Sequence, residues 1–241
     1  KMLSGLIYPS SGEIQVLGFK PSDRKSEFLS RIGLVMGNKS GLNWDLTPRQ
    51  SFRLLKEIYN VSDHKYNLRL KELTELLDIS RFIDTQIRRM SLGERMKMEL
   101  IGSILHYPKI LFLDEPTVGL DIISKQKIRE FLRHIQKKDG TTILLTSHDM
   151  DDVEKVCDRV IVINKGQKVI DTDVIKLTSR FSEYKYIKLT LSNKKEFSKI
   201  SFDKVEELNS EGMYKIQKSK VPEFLKYITA NFDVDDIDVI P

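Results

Sequence analysis

Two adjacent carboxylates follow an apolar stretch in the middle of the chain. Residues 109–121 read KILFLDEPTVGLD, in which four apolar residues lead into Asp114 and Glu115. Such a stretch is typical of a buried parallel strand, and open α/β sheets bind their ligands at the carboxyl ends of these strands. One carboxylate there can hold Mg²⁺, usually through water, while the next deprotonates an attacking water. Taken alone, the pattern also fits a strand end that is simply solvated.

A serine and a glycine lie upstream, where residues 90–100 read MSLGERMKMEL. Ser91 followed three residues later by Glu94, ahead of an apolar-periodic run, has the form of a capping box that starts a helix. A helix start with a free hydroxyl, and with Gly93 to let the backbone approach, also suits phosphate oxygens. The motif predicts a well-capped helix and allows a phosphate site at its N-terminus.

A histidine ends the next apolar stretch, where residues 141–150 read TTILLTSHDM. We expect a second buried strand there, with His148 leaving it on the same edge as Asp114, so that both can reach one ligand. A lone histidine is more often structural. The spacing of the other histidines, at positions 64, 106 and 134, is not that of metal ligands.

These motifs lie in an alternation of strands and helices that is typical of a parallel α/β sheet. The expected elements are a strand at 32–36, a strand at 110–113, a helix at 122–136, a strand at 141–146, a helix at 150–157 and a strand at 159–163, with a turn at 164–166 into a strand at 168–170. Residues 1–19 indicate the tail of a helix, a turn at 9–12 and a short strand.

Two other regions have a different character. Thr47 and Pro48 read as an N-cap and first helical residue, and apolar residues then recur at helical spacing, which predicts a helical subdomain at about 46–100. From about residue 176 the chain becomes lysine-rich, with two or three strands and one helix at 222–232, which indicates a small α+β appendage.

Composition narrows the class of protein. The 241 residues carry 40 Lys+Arg against 35 Asp+Glu, and 40% are hydrophobic, which is ordinary for a soluble protein with a substantial core. No stretch approaches the roughly 20 apolar residues that cross a bilayer, and a dispersed net charge of +5 does not indicate a nucleic-acid partner. Cys157, the only cysteine, excludes an internal disulfide, indicates a cytosolic setting and reads as a small buried hydrophobe.

In order and spacing, these motifs resemble the ATP-binding cassette (ABC) family over residues 1 to about 173. ILFLDEPTVGLD is similar to its Walker B strand and D-loop, MSLGE to its signature LSGGQ, and LLTSH to its switch histidine. The segments VMGNKSGLNWDL and SLGERMKMEL further resemble cassettes that serve ABC-2 type exporters. The opening KMLSGLIYPSSGEIQVLG resembles the helix and strand that follow the Walker A loop.

The resemblance implies an α/β fold, namely a P-loop NTPase (ABC ATPase) core that lacks its N-terminal strands and P-loop. It implies an inserted helical subdomain and a small C-terminal α+β appendage. The expected domains are an ABC ATPase domain at 1–175 and an accessory domain at 176–241, which is either a solvated face over an apolar core or a regulatory or dimerising element.

Roles for individual residues follow from the same resemblance. Asp114 would support Mg²⁺, Glu115 would be the general base, and His148 would contact the γ-phosphate and the attacking water. Asn38 falls where the family has its Q-loop glutamine and, being shorter, would reach Mg²⁺ through water. Trp44 lies where the family receives the coupling helix of its membrane partner, so that partner contact and simple packing are both open.

The remaining roles concern a second chain. The signature residues Ser91, Leu92, Gly93 and Glu94 would bind ATP held by the opposite protomer, and Asp121 would be the D-loop aspartate at the dimer interface. Leu92 and Glu94 depart from the usual signature, while Ser91 and Gly93 keep it.

The largest departure is that no G-x-x-x-x-G-K-[ST] sequence occurs in the 241 residues, and Lys1 falls after the expected loop. The backbone cradle, the phosphate-binding lysine and a Mg²⁺-binding hydroxyl are therefore missing, together with the upstream aromatic that stacks on adenine. We expect an N-terminally truncated cassette that is inactive by itself.

The implied function of the intact protein is ATP hydrolysis, with ATP and Mg²⁺, at the cytoplasmic face of the cell membrane. It would drive export through a separate ABC-2 type permease and pair with a second ABC subunit, identical or different. One alternative is a soluble cassette ATPase that acts on ribosomes or DNA, although such relatives carry two cassettes or long coiled-coil insertions. Another is a real short product that binds the permease or a complete cassette without catalysis.

Overall fold

A computed structural model describes residues 1–37, 40–182, 184–192, 197, 200–202, 205–209 and 212–240. Its internal contacts divide the chain into two units, Lys1–Cys157 and Asp158–Pro241. The division falls earlier than the domain boundary at 175/176 expected from the sequence, which stays a prediction. No helix in the described ranges is long and apolar enough to span a membrane.

The first unit contains a parallel sheet in the order β1–β2–β3. Its strands are β1 Ile32–Met36, β2 Ile110–Asp114 and β3 Thr142–Thr146. Met36, Asp114 and Thr146 stand side by side at the carboxyl ends. The predicted positions of all three strands are confirmed to within a residue. β3 is only half-buried rather than buried as predicted: its residues alternate between exposed and partly buried, whereas those of β1, at the other edge, are mostly buried.

The first unit also contains the helices α1 Ser26–Leu29, α2 Pro48–Ile58, α3 Asp63–Leu76, α4 Leu92–Ile104, α5 Ile122–Asp139 and α6 Met150–Val156. Helices α1 and α4 pack on β1, α5 packs on β3, and α2 and α3 pack on α4. A Cβ at Gly33 would lie 2.4 Å from the carbonyl oxygen of Ser103, so α4 packs directly on the backbone of β1. The core includes fully buried Phe52, Leu73 and Phe131, each of which contributes about 1.5–3 kcal/mol through burial. Cys157 packs at the edge of this core and is partly buried.

The start of α2 is fixed by its own side chains. Thr47 Oγ1 accepts a hydrogen bond from the backbone N–H of Gln50 at 3.3 Å, and Gln50 Oε1 accepts one from the N–H of Thr47 at 2.9 Å. This reciprocal pair satisfies two backbone donors that a helix start would otherwise leave without a partner.

We expect Thr47→Ala to lower the free energy of unfolding by about 1 kcal/mol, because it removes this cap. Ser62→Ala is the matched control, since Ser62 is the N-cap of α3 but makes no side-chain capping bond. Urea unfolding of both variants measures the difference. Equal effects at the two positions would contradict a stabilising role for the cap at Thr47.

The first residues confirm one expectation and correct another. The N–H of Leu6 donates to the carbonyl of Lys1 and that of Gly5 to Met2, with Gly5 at φ +74°, which is the hydrogen-bond pattern of a helix C-terminus. The predicted short strand is wrong, because Val16 and Phe19 pair only with each other, across a tight turn, as an isolated bridge.

The second unit begins with a hairpin of β4 Arg159–Asn164 and β5 Gln167–Asp173. The turn at 164–166 is confirmed. The expectation that 159–163 extends the parallel sheet is wrong, because β4 pairs with β5 in antiparallel register. Lys165 and Gly166 both have positive φ, as the tight turn of a two-residue hairpin requires, and this turn lets β5 run back alongside β4.

The rest of the second unit is an antiparallel sheet in the order β7–β8–β6–β9. The elements are α7 Val174–Ser182, β6 Tyr184–Leu191, β7 Val205–Asn209, β8 Met213–Gln217, α8 Val221–Asn231 and β9 Val234–Ile240. Phe224 and Ile228 of α8 share a buried core with Ile187 and Ile216 of the sheet. The predicted α+β character and the helix near 222–232 are confirmed. The sequence predicted two or three strands and one helix, whereas the structure also contains α7 and a fourth strand.

Candidate functional site

The carboxyl ends of the three parallel strands are joined by hydrogen bonds around Asp114. Asp114 Oδ1 accepts a hydrogen bond from Thr146 Oγ1 at 2.7 Å, and the carbonyl of Asp114 accepts one from the N–H of Gly37 at 2.8 Å. The N–H of Glu115 donates to the carbonyl of Thr146 at 3.1 Å. The carboxylate that ends β2 is therefore held by residues of its neighbours, at the sheet edge where the sequence places a ligand.

His148 lies at this edge and contacts Glu115, the neighbour of Asp114. His148 Nδ1 lies 3.0 Å from Oε2 and 3.1 Å from Oε1 of Glu115. An ionised carboxylate only accepts hydrogen bonds, so the tautomer that makes this contact with an ionised Glu115 is the one with its proton on Nδ1. The imidazole is 76% exposed, which leaves its other nitrogen accessible from solvent.

The backbone of Glu115 adopts an uncommon conformation. Its φ is +54°, in the left-handed region that non-glycine residues enter at a cost of about 1–3 kcal/mol. The turn that follows is closed by the N–H of Val118, which donates to the carbonyl of Glu115 at 3.4 Å. Such outliers persist only where the surroundings hold them, and they concentrate at functional sites.

The signature residues start α4 as a capping box. Ser91 Oγ accepts a hydrogen bond from the N–H of Glu94 at 3.3 Å, and Glu94 Oε2 accepts one from the N–H of Ser91 at 2.8 Å. The predicted helix start is confirmed. Glu94 is thus engaged in the cap, while Ser91 and Leu92 are exposed at the tip of the helix.

Asp121 forms the N-cap of α5. Its carboxylate accepts hydrogen bonds from the N–H of Ser124 at 2.9 Å and from Ser124 Oγ at 2.7 Å. These bonds favour the ionised form and lower the pKa of Asp121 below its usual range, and the bond from the Ser124 backbone has the largest effect. A carboxylate at this position also complements the helix dipole.

The starts of α4 and α5 pack against each other. A Cβ at Gly93 would lie 2.8 Å from Ser124 Oγ and 3.8 Å from Asp121 Oδ2. A Cβ at Gly119 would lie 3.2 Å from Leu92 Cδ2. Gly93 is therefore a buried close-approach position, and it brings the start of α4, with exposed Ser91 and Leu92, beside Asp121 of the same chain. Ile122 and Ile123, which follow on α5, are 82% and 74% exposed.

The loop before α2 is tied to α4. Glu99 accepts hydrogen bonds from the backbone N–H groups of Gly41 and Leu42, each at about 3.0–3.1 Å. The ring of Trp44 lies 5.1 Å below the guanidinium of Arg95 and remains half-exposed. Asn38 lies outside the described residues, so its role stays a prediction.

Several residues around the site were missed from the sequence. Thr146 and Gly37 contact Asp114, and Thr117 and Ser147 bond to buried Asp152 on α6. The sequence did place all three hydroxyl residues within two positions of Glu115 or His148, and this proximity could have marked them as candidates. Nothing in their spacing pointed to Asp152 as their common partner.

Comparison with known proteins agrees with this geometry. The family model described as "ABC transporter" matches residues 1–118. The ABC transporter ATP-binding protein NatA of Bacillus subtilis is 32% identical over 169 residues, which cover 70% of this chain and 68% of that protein. The bacitracin transport ATP-binding protein BcrA of Bacillus licheniformis is 31% identical, over 80% of this chain and 62% of that protein.

The fold has solved counterparts. The structure of cbiO1 from Clostridium perfringens, described as part of the ABC transporter complex cbiONQ, superposes with a TM-score of 0.64 at 25% identity, over 74% of this chain and 72% of that one. The predicted α/β fold of the ABC ATPase type is therefore confirmed. From the motifs, the fold and the similarity to NatA together, the chain belongs to the ATP-binding proteins of the ABC transporter family.

Proposed function

We propose that this chain is the ATP-hydrolysing part of a subunit that drives an ABC-2 type exporter. The observation that carries the proposal is the contact between Glu115 and His148 at the carboxyl edge of the sheet, beside Asp114. The exporter type is supported by the segments VMGNKSGLNWDL and SLGERMKMEL. The subunit would act at the cytoplasmic face of the membrane, beneath a separate permease.

The side chains at the edge fit a nucleotide and Mg²⁺. Asp114 offers carboxylate oxygens, the ligands that Mg²⁺ prefers, on a side chain already oriented by Thr146. Mg²⁺, when bound, neutralises negative charge on the phosphate oxygens. Asn38 is proposed to contact the metal through water.

Glu115 would accept the proton of the water that attacks the γ-phosphate. His148 would hold and orient this base, because Nδ1 already donates to the Glu115 carboxylate. A protonated imidazole has N–H donors on both nitrogens, so Nε2 can donate to a γ-phosphate oxygen at the same time. Glu115 would thus take the proton, and His148 would stabilise the charge on the phosphate.

A second cassette, identical or different, would complete the site. Exposed Ser91, Leu92 and Asp121 form one surface of this chain, where the starts of α4 and α5 meet at buried Gly93. We infer that this surface, with Leu92 and Glu94 at the signature positions, faces ATP held by the other cassette. The half-exposed Trp44 would meet the permease.

Residues 1–241 contain no phosphate-binding loop, and the proposal therefore predicts that this stretch by itself has no ATPase activity. Asp114 and Glu115 cannot replace the lysine and backbone donors around the β- and γ-phosphates. The test compares phosphate release by residues 1–241 with that of a loop-bearing chain, defined as residues 1–241 with a G-x-x-x-x-G-K-[ST] loop and its strand ahead of Lys1. Turnover by residues 1–241 that disappears in Glu115→Gln would overturn this prediction, and a loop-bearing chain without turnover would overturn the proposed function.

A further inference from the structure

A fully buried carboxylate lies behind the site, on α6. Asp152 is 0% exposed, and it accepts hydrogen bonds from the hydroxyls of Thr117 and Ser147 on Oδ2 and from Arg129 Nε on Oδ1. The bond from Ser147 measures 2.9 Å and that from Arg129 2.6 Å. Burying an ionised carboxylate is costly unless it is paired and hydrogen-bonded, and these donors meet that need.

The two hydroxyl donors belong to the two loops that carry the proposed chemistry. Thr117 lies two residues after Glu115, and Ser147 immediately precedes His148. One carboxylate oxygen therefore joins the turn that follows the proposed base to the residue that precedes its histidine. Thr117 is itself buried, so this junction is shielded from water, whereas the His148 side chain that contacts Glu115 is largely exposed.

The exposed contact between Glu115 and His148 is too weak to hold the two side chains in one arrangement by itself. Hydrogen-bonded charged pairs on the surface are worth about 0–1 kcal/mol because water competes with them. Glu115 also holds a left-handed backbone conformation, which persists only if its surroundings impose it. A buried, charge-assisted junction two residues away can supply that constraint.

The junction is also anchored to α5. Arg129, whose side chain is 9% exposed, bonds to Asp152 and lies 3.3 Å from Asp149 Oδ2 and 3.4 Å from Asp151 Oδ2. Lys125 of α5 pairs with Asp149 at 2.8 Å. The carboxylates of α6 thus face cations of the helix that Asp121 caps, so the junction connects both catalytic loops to a rigid element.

We propose that Asp152 is a positioning residue that sets the distance between Glu115 and His148 by holding Thr117 and Ser147 together. The proposal rests on the proposed ATPase function. Asp152 touches neither the nucleotide nor the reacting atoms, and its effect reaches them only through the two loops.

The test uses Thr117→Val and Ser147→Ala in the loop-bearing chain. Each variant removes one hydroxyl and leaves the buried pair of Asp152 with Arg129 intact, so both should fold. We expect kcat to fall about tenfold in each, while the dissociation constant of ATP changes by less than about twofold, because misplacement of a catalytic group slows chemistry without weakening phosphate contacts. Thr74→Val is the matched control, since Thr74 is a buried threonine whose hydroxyl bonds within α3, and it should keep wild-type kcat.

Asp152→Ala should lower kcat at least as much as either single variant, and adding Ser147→Ala to it should produce no further fall, because the shared acceptor is already gone. Unchanged kcat in both Thr117→Val and Ser147→Ala, beside an active wild type, would overturn the inference and leave Asp152 a structural residue. So would losses in the Asp152→Ala and Ser147→Ala double variant that simply multiply. A loop-bearing wild type without turnover would instead refute the proposed function, and with it this inference.

Discussion

Glu115→Gln in the loop-bearing chain should lower ATP turnover by at least about 100-fold while ATP still binds. The amide keeps the shape of the side chain but cannot take a proton, and general-base assistance is typically worth about 10²–10⁴-fold, or roughly 3–5 kcal/mol of barrier. Asp114, the proposed metal ligand, is unchanged in this variant. Phosphate release and equilibrium ATP binding, measured on the same preparation, separate loss of chemistry from loss of binding.

The same variant tests the proposed pairing of cassettes. If Ser91 and Gly93 of one chain grip ATP held by another, unhydrolysed ATP should convert Glu115→Gln to a stable dimer, visible by light scattering. Adding Ser91→Arg should abolish that dimer, because it places bulk and charge at the tip of α4. Ser62→Arg is the control, since it makes the same change at the exposed N-cap of α3.

Two outcomes would count against these assignments. Normal turnover in Glu115→Gln would remove Glu115 as the base. A protein that stays monomeric with bound ATP would remove the signature surface as a shared site. The dimer measurement is interpreted only after the loss of turnover in Glu115→Gln has been shown, because the dimer depends on ATP that is not hydrolysed.

Much of the fold around the site could be predicted because its signals are local. The capping box predicted at Ser91 forms its reciprocal bonds, and the N-cap predicted at Thr47 is confirmed and gains a second bond through Gln50. The apolar run of 110–113 predicts a buried strand, and β2 is the central strand of the sheet. Since parallel strands meet at one edge, the strand positions predicted that His148 lies near Asp114, whereas its contact with Glu115 is seen only in the structure.

The rest depends on contacts between distant residues. Asp152 meets Thr117 across 35 residues and Arg129 across 23, and no periodicity in the sequence identifies such a group as a common acceptor. The apolar residues of 159–163 suit a parallel or an antiparallel neighbour equally, and only the pairing with β5 decides between them. Helix α7 was not predicted, because the sequence there shows only that the chain becomes rich in lysine.

Gly37 lies against the backbone of Asp114 and Glu115, and no local pattern in the sequence indicated this close approach. It follows β1, and a Cβ there would lie 2.4 Å from the backbone oxygen of Glu115 and 3.1 Å from that of Asp114. Both neighbours are main-chain atoms at the end of the central strand, so they cannot rotate away as a side chain would. Any residue larger than glycine must therefore displace the backbone that carries the proposed metal ligand and base.

We expect Gly37→Ala to lower kcat of the loop-bearing chain by about 100-fold, the loss that follows when a catalytic group is misplaced by about 1 Å. Gly140→Ala is the control: Gly140 ends α5 with φ +65° and has open space around its Cβ position, so alanine there adds backbone strain without a clash. The control should lose stability in urea unfolding yet keep wild-type kcat. If Gly37→Ala retained wild-type kcat, or if Gly140→Ala lost as much activity, the backbone of Glu115 would not require a glycine beside it. A selective loss in Gly37→Ala would show that turnover depends on where that backbone lies, as a base held in a left-handed conformation by its neighbours requires.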